Sequence, residues 1–352
     1  MASMNPLAQQ RAARGWSQAE LAGASAVSRT EISAIETGRL VPSVAVALKL
    51  AAVLGESVET LFGTAAAYPA AAWAWAPKNA ADPRVWRASV NGRLVLYPVE
   101  LTAAGTIAHD AVARADRVDP IASESRPDRT LVLAGCDPTV GLLVQEIAAR
   151  HGVRVLPLLR SSTQALELLR QGLAHMAGVH FTNGSGESAN EHAVQSNIGS
   201  GYCLIHQVRW EAGVAFDPRR REHSLRALLQ ANVRWVNREE GSAARRVFDA
   251  RLGSRRPKGY EHVVTDHRAV AATISSGWAE AGICVRPAAA EAHLAFLPLH
   301  QEAYELCVAE SLLDDLRVAA LTSTLRSMHY RRVIGDVPGC ASADTGAQRA
   351  VA

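Results

Sequence analysis

The chain has 352 residues, 48% of them apolar and 20% charged, with 37 basic against 34 acidic side chains. That length suits two or three domains at ~150 residues each, and the apolar content excludes disorder for the bulk of the chain. No apolar run approaches the ~18 residues of a membrane span, so no membrane partner is expected. The five cysteines are scattered without a CxxC pair, which excludes a disulfide framework and fits a reducing compartment.

Arg11 and Arg14 are followed by no apolar stretch of the kind a secretory leader carries, so a cytoplasmic protein is expected. Residues 1–63 hold five basic side chains (Arg11, Arg14, Arg29, Arg39, Lys49) and five acidic ones (Glu20, Glu31, Glu36, Glu56, Glu59), and are neutral. The net charge of +3 therefore lies wholly in residues 64–352, and bulk charge makes no case for nucleic acid. Ser17 with Glu20, and Ser28 with Glu31, each spell an S-x-x-E capping box. Between them there is room for a helix of about two turns and a tight turn, and the second helix should end near Thr37 and Gly38. Pro42 and Ser43 open another helix with Val44, Ala47, Leu48, Ala51 and Leu54 as its apolar stripe and Gly55 as its end. Ser57 caps a last short helix through Phe62.

In the helix opening at Ser28, Ile32 and Ile35 should point inward. Arg29, Thr30, Ser33 and Thr37 then form a polar face suited to base edges in a major groove, bordered by Ser28 and Arg39. Gln18 and Thr30 sit at helix N-termini, where donors hold phosphates. From pattern alone, a helical interaction module with a solvated polar face remains open. Arg11, Gly15, Ser17, Gln18, Leu21 and Ala22, then Val27, Ser28, Ile32, Ser33, Glu36 and Gly38, then Pro42, Leu54 and Gly55, decide between them. Their spacing resembles the phage-repressor/Cro-like (XRE) helix-turn-helix family over about sixty residues. The resemblance implies a homodimer on double-stranded operator DNA, with Arg29, Thr30 and Ser33 reading bases and Gln18 clamping a phosphate.

Residues 64–83 are rich in Ala and Pro and read as a linker, its Trp73 and Trp75 packed against a neighbour. The run 93–99 is strand-like, and 64–128 as a whole is expected to be linker and connecting segment. From residue 129 the pattern alternates: strand 130–134, a helix from Asp137 and Pro138 to Arg150, strand 153–159, a helix from Ser161 and Ser162 to Gly172, strand 176–181. That βαβαβ order predicts a parallel sheet. After a loop-rich middle come helix 224–230, strand 233–236, loop 237–241, helix 242–252, an Asp266-capped helix to Ser276, strand 281–285, a strand pair at 294–297 and 304–309, and a final helix over about 311–328. The expected fold is multi-domain: an all-α helix-turn-helix at 1–63 and an α/β two-lobed ligand-binding domain at 129–335. The Gly/Ala/Ser-rich tail at 336–352 is expected to be disordered.

Ligands of open α/β sheets bind beyond strand carboxyl ends, at helix N-termini. Four such ends here are polar: Asp137 with Thr139; Ser161, Ser162 and Thr163; Asn237 and Arg238 with Ser242 and Arg245; and Thr265, Asp266 and His267. Plain capping explains any one of them, but four together with two arginines favour an anion. His180 ends a strand and could face the cleft. The pairs His175/His180 and His262/His267 are five apart, which fits no metal spacing, so no metal is expected. No nucleophile–base motif stands in a strand–helix context, so no enzyme is expected.

The residues 135–138, 161–169 with Gly172, 177–180, Gly186, Glu187 and Asn190 carry a second likeness. It continues through 236–238, Gly241, Ser242, Arg245, Gly259, Tyr260, Ser276, Gly277, Ala281, Gly282, Pro298, Leu299, Glu302, Tyr304 and Leu306. The region resembles the type 2 periplasmic-binding-protein fold. More narrowly it is similar to the intracellular domain, often labelled molybdate-binding, that is fused to helix-turn-helix regulators and to molybdopterin-biosynthesis proteins. The resemblance implies an oxyanion such as molybdate or tungstate as effector, with Tyr304 among its site residues, and no other cofactor. Three departures weigh against molybdate: the family's His between Cys136 and Asp137 is missing, its Gly-Thr-Arg is Ala243-Ala244-Arg245, and its Thr-His is Asp266-His267. The function expected is a ligand-responsive one-component transcription regulator. The alternative is a ligand-handling or enzymatic protein of molybdenum cofactor metabolism that uses the helix-turn-helix for docking.

Overall fold

The computed structural model describes residues 5–56, 58–62, 72–77, 83–114, 118–121, 126–181 and 188–351. The expected Ser57 cap, most of the 64–83 linker and the Gly186/Glu187 pair lie outside these residues. The chain divides into two compact units, Met1–Ala71 and Ala72–Ala352.

The first unit comprises α1 (Pro6–Ala13), α2 (Gln18–Ser25), α3 (Arg29–Glu36), α4 (Val44–Leu54) and α5 (Val58–Phe62). Helix α1 begins where Asn5 accepts from the Leu7 amide and Pro6 stands at N1. The Ser17 box is reciprocal, Ser17 Oγ accepting from Glu20 N at 3.2 Å and Glu20 from Ser17 N at 2.6 Å. At Ser28 only the serine half forms. Leu7, Leu21, Ile32, Ile35, Leu50 and Leu54 make the core, so Ile32 and Ile35 do point inward. The stripe of α4 differs from expectation: Leu50 is buried, whereas Val44 and Leu48 are exposed. At ~100° per residue Leu48 lies about a quarter-turn from the centre of the buried line through Ala47, Ala51 and Leu54.

The second unit opens with a five-stranded sheet rather than a connecting segment. Its strands are β1 (Ala72–Trp73), β2 (Arg84–Val90), β3 (Arg93–Pro98), β4 (Ala111–Ala113) and β5 (Val118–Pro120), in the order β1-β3-β2-β4-β5. Asn91 and Gly92, at φ 50° and 73°, make the two-residue hairpin turn between β2 and β3. Trp86 and Tyr97 pack this sheet onto Val132 and Leu156. Trp75 stands edge-on to Tyr97 with Arg160 over its ring.

The first lobe of the two-lobed α/β domain carries β6 (Thr130–Gly135), α6 (Val140–His151), β7 (Arg154–Leu159), α7 (Ser162–Arg170), β8 (Met176–Val179) and α8 (Ser188–Ile198). Strand β9 (Tyr202–Phe216) crosses to the second lobe, built from α9 (Leu225–Gln230), β10 (Trp235–Arg238), α10 (Ala243–Leu252), β11 (Val263–Val264), α11 (His267–Ser275), β12 (Ala281–Val285) and α12 (Arg286–Glu291). Strand β13 (Ala295–Ala309) returns, followed by α13 (Leu316–Arg326), α14 (Met328–Gly335), β14 (Cys340–Ala341) and β15 (Gln348–Ala350). The sheet order is β11-β10-β12-β9-β13-β8-β6-β7. As the alternating pattern predicts, β6 is parallel to both β7 and β8.

Four expectations change. The strand pair at 294–297 and 304–309 is one 15-residue strand, antiparallel to an equally long β9 in the supposed loop-rich middle. Thr139, not Asp137, is the residue before α6, because Asp137 spends its carboxylate on Thr139 itself. The final helix breaks at Ser327, whose extended backbone and hydroxyl start α14. The tail is ordered: β14 and β15 pair with β9, Thr345 Oγ1 donates to the Gln207 carbonyl at 2.9 Å, and Val351 is buried. Among the described residues no helix is long and apolar enough to cross a membrane.

Candidate functional site

The polar face of α3 forms as its sequence requires. Arg29, Thr30 and Thr37 are exposed and Ser33 is half-buried. Ser28 accepts from the Glu31 amide, which starts the helix and leaves the next side chains free to project. Thr37 Oγ1 donates to the Ser33 carbonyl at 2.8 Å and accepts from Arg39 Nε at 3.0 Å, placing that guanidinium at the end of the face. Gln18 is engaged within the protein. Its Nε2 donates to Glu36 at 2.8 Å, while Arg11 grips the same carboxylate at 2.6 and 3.0 Å. Burial works to raise the Glu36 pKa, but the Arg11 and Gln18 hydrogen bonds carry it below its ordinary value. The charged knot thus ties α1, α2 and α3 together.

In the second unit, the ends of β6, β8 and β10 and the start of α11 meet against β9 and β13. Asp137 is buried, its Oδ1 accepting from Thr139 N and Oγ1 at 2.6 and 2.7 Å and its Oδ2 from Gln207 at 2.5 Å. Burial raises its pKa against the pull of those bonds. His180, at the end of β8, places Nε2 3.0 Å from Cys136 Sγ and Nδ1 2.8 Å from Glu302 Oε2. Glu302 also accepts from Trp210 Nε1 at 3.2 Å and meets His300 Nε2 at 2.8 Å. Burial opposes charge on both members of the His180–Glu302 pair. For His180 the attraction of Cys136, followed by that of Glu302, overcomes burial and raises it to about 10, and His180 in turn holds Glu302 below the carboxylate range. Tyr304 packs against Trp210 with ring centroids 4.8 Å apart and the planes tilted by 37°. A Cβ at Gly135 or Gly178 would fall 2.2 or 1.7 Å from its hydroxyl, so only glycine admits the ring there.

From the second lobe, His267 brings its ring centroid to 5.7 Å from that of His180. It is 1% exposed, and neither ring nitrogen has a hydrogen-bond partner among the described residues. Burial and the nearby Arg238 charge push its pKa well down, so the ring is neutral. Arg238 is 2% exposed; Nη2 donates to the Thr265 carbonyl at 3.0 Å, while Nε and Nη1 meet no partner among the described residues. A cavity of about 310 Å³, lined in part by Leu101, Thr102, Cys136, Asp266, His267 and Arg268, leads to this cluster.

Of the residues expected here, Asp137, His180, Arg238, His267 and Tyr304 converge, and Ser162 supports them by accepting from the His180 amide at 3.2 Å. Others serve their own helices. Ser161 shares a capping box with Gln164, Ser242 caps α10, and Asp266 caps α11 by accepting from Ala269 N at 2.9 Å. Thr139 is committed to Asp137, Asn237 bonds the Tyr260 carbonyl and its neighbour's amide, and Thr163 is exposed. Arg245 is spent on Asp249, the Arg238 carbonyl and the Tyr260 ring. The capping explanation therefore holds at three of these positions.

Sequence reasoning finds no nucleophile–base pair, yet Cys136, His180 and Glu302 stand as sulfur, imidazole and orienting carboxylate in one line of contacts. The reason is distance along the chain: the three come from separate elements, and no local motif links them. Likewise the histidines five apart do not pair; His175 lies in the core with Ser89 and Val132, while His180 and His267 meet from opposite lobes. Trp210, Gln207 and His300 were signalled by nothing in the pattern. Cys136 and Glu302 stood only among the positions of family likeness.

A family model described as a PBP superfamily domain matches residues 144–326. The chain belongs to the PBP superfamily. A helix-turn-helix model matches residues 7–61, ahead of the PBP superfamily domain. The uncharacterized protein YvgK of Bacillus subtilis (strain 168) is 28% identical over 235 residues, 63% of this chain and 75% of that one. Among solved structures, a putative phosphate ABC transporter substrate-binding protein with bound phosphate from Clostridium perfringens aligns with a TM-score of 0.47 at 9% identity, covering 60% of this chain and 98% of its own. The effector binding domain of QuiR in complex with shikimate aligns at 0.40 and 13% identity, covering 55% and 92%.

Proposed function

We propose that this protein is a cytoplasmic, homodimeric one-component transcription regulator. It reads operator DNA with the exposed face of α3 and senses a small anion in the cleft of its PBP superfamily domain, molybdate and tungstate being the first oxyanions to test. The observation that carries the reading is Arg238, a buried guanidinium with two nitrogens unpartnered among the described residues, in a chain that also bears a helix-turn-helix. Leaving buried donors unpaired costs on the order of 1–3 kcal/mol each, more for a charged group, and an anion removes that cost. Binding there would draw the lobes together about β9 and β13, and a coupling of ~1–3 kcal/mol to the DNA-bound state suffices for regulation.

The test is nuclease protection of a DNA site selected by the full chain, with and without molybdate, tungstate, sulfate or phosphate, alongside thermal unfolding with the same anions. Arg29→Ala should abolish protection while retaining any anion-induced rise in melting temperature, since ligands stabilise by mass action. Normal protection by Arg29→Ala would remove α3 as the reader. Silence from all four anions would remove the inorganic oxyanions as effectors.

A further inference from the structure

We infer that Cys136, His180 and His267 form a binding site for a single thiophilic transition-metal ion of the Zn(II) or Cu(I) type. The inference needs neither DNA binding nor an oxyanion effector to hold. One sulfur and two imidazole nitrogens lie with their ligand atoms within 4.8 Å of one another, and all three residues are buried. Metal bonds of ~2.0–2.3 Å in a tetrahedral shell set neighbouring ligand atoms ~3.5 Å apart. The 3.0 Å Cys136–His180 contact would open slightly and the wider separations close by about an ångström, within reach of ring rotation.

Two features separate this from a bare nucleophile–base pair. A pair would account for Cys136, His180 and Glu302 but leaves His267 without purpose: a buried imidazole whose two nitrogens meet no donor or acceptor among the described residues. A metal supplies the missing partner for one of them. The second feature is the support behind His180. Glu302 accepts from Nδ1 and so turns Nε2 toward Cys136, where the incoming ion displaces the Nε2 proton, and Glu302 is itself held by Trp210 and His300. A carboxylate behind a ligating histidine fixes its tautomer and raises its basicity.

The donor set selects the ion class. Thiolate with two imidazoles suits Zn(II) and copper and does not suit Mg(II) or Ca(II), which take oxygen ligands. Three protein ligands leave a fourth position free, and the cavity beside Cys136 and His267 provides a way in. A divalent ion, the Cys136 thiolate and the Glu302 carboxylate sum to zero, so among these groups and Arg238 only the Arg238 charge is left over. An anion beside Arg238 would balance it.

The experiment is anaerobic titration of the chelator-treated, reduced full-length protein with Co(II), followed by Zn(II) displacement. One equivalent should bind, giving the visible bands of four-coordinate cobalt and a near-ultraviolet thiolate-to-cobalt band. Cys136→Ser should lose the thiolate band, His267→Gln should lose tight binding, and Glu302→Gln should weaken it ~10–100-fold, each with the fold checked by circular dichroism. Binding without a thiolate band, or a band that survives Cys136→Ser, would overturn the site. Should the variants unfold, zinc-edge X-ray absorption of the wild-type protein decides: one sulfur with two or more nitrogens upholds it, and a shell without sulfur refutes it.

Discussion

His175 shows how one buried side chain writes a pH dependence into the fold. Its Nδ1 accepts from the Val132 amide and its Nε2 donates to the Ser89 carbonyl, both at 2.9 Å, so a single neutral tautomer satisfies both bonds. Protonation would set a donor against a donor. Burial, helped by the Arg317 charge, lowers its pKa to about 4. Because the folded value lies below the unfolded ~6.5, the unfolded chain takes up a proton between those values that the native state refuses. Stability is therefore undiminished above pH ~6.5 and falls below it, by about 3 kcal/mol in full. Urea unfolding at pH 7 and pH 5 checks this. Wild type should lose about 2 kcal/mol more than His175→Gln over that interval, and equal losses would refute the assignment.

At the scale of elements, the C-terminal strands make the sharpest case. Val351 is buried, and Arg349 reaches Glu305 at 2.6 Å beneath β15. Ending the chain at Val337 exposes what Val351 covers, worth ~1.5–3 kcal/mol for a valine, and strips Glu305 of a cation. Thermal unfolding should move down by at least ~3 °C, at 2–4 °C per kcal/mol for a unit of this size. An unchanged midpoint would mean the tail is dispensable. The tail was illegible because its Gly/Ala/Ser composition carries no periodicity; its order comes from backbone bonds offered by the edge of β9. Strand β9 escaped notice for a related reason. His206, Gln207, Arg209 and Glu211 interrupt its apolar alternation, yet most of the strand is buried under the layers around it. By contrast α2, α7 and α11 were legible from their caps, whose chemistry is local. The site divides along the same line. Arg238, His180 and His267 could be read as strand and helix ends facing a cleft. Their meeting with Cys136 and Glu302 is a property of topology, and a carboxylate inside a strand reads as surface.

The whole molecule carries +3, but its helix-turn-helix segment, residues 1–63, is neutral, and the structure says how its charges are used. Arg11 is consumed by Glu36, and Arg14 bonds the carbonyls of Val53 and Leu54 at the end of α4. That leaves Arg29, Arg39 and Lys49 as the exposed cations of the unit beyond those two. If the proposed dimer binds operator DNA, its two copies would neutralise at most about six phosphates, so log Kobs against log salt should slope no more steeply than about −5, at −0.9 per phosphate. On that proposal, specific binding would draw more on base contacts from α3 than on backbone charge. The prediction is measured as operator affinity between 50 and 200 mM salt. A slope near −10, of the kind many-phosphate binders show, would place further basic surface from residues 64–352 on the DNA. Arg39→Ala should flatten the slope by about two across a dimer and leave the preferred sequence unchanged. Arg29→Ala should instead erase that preference.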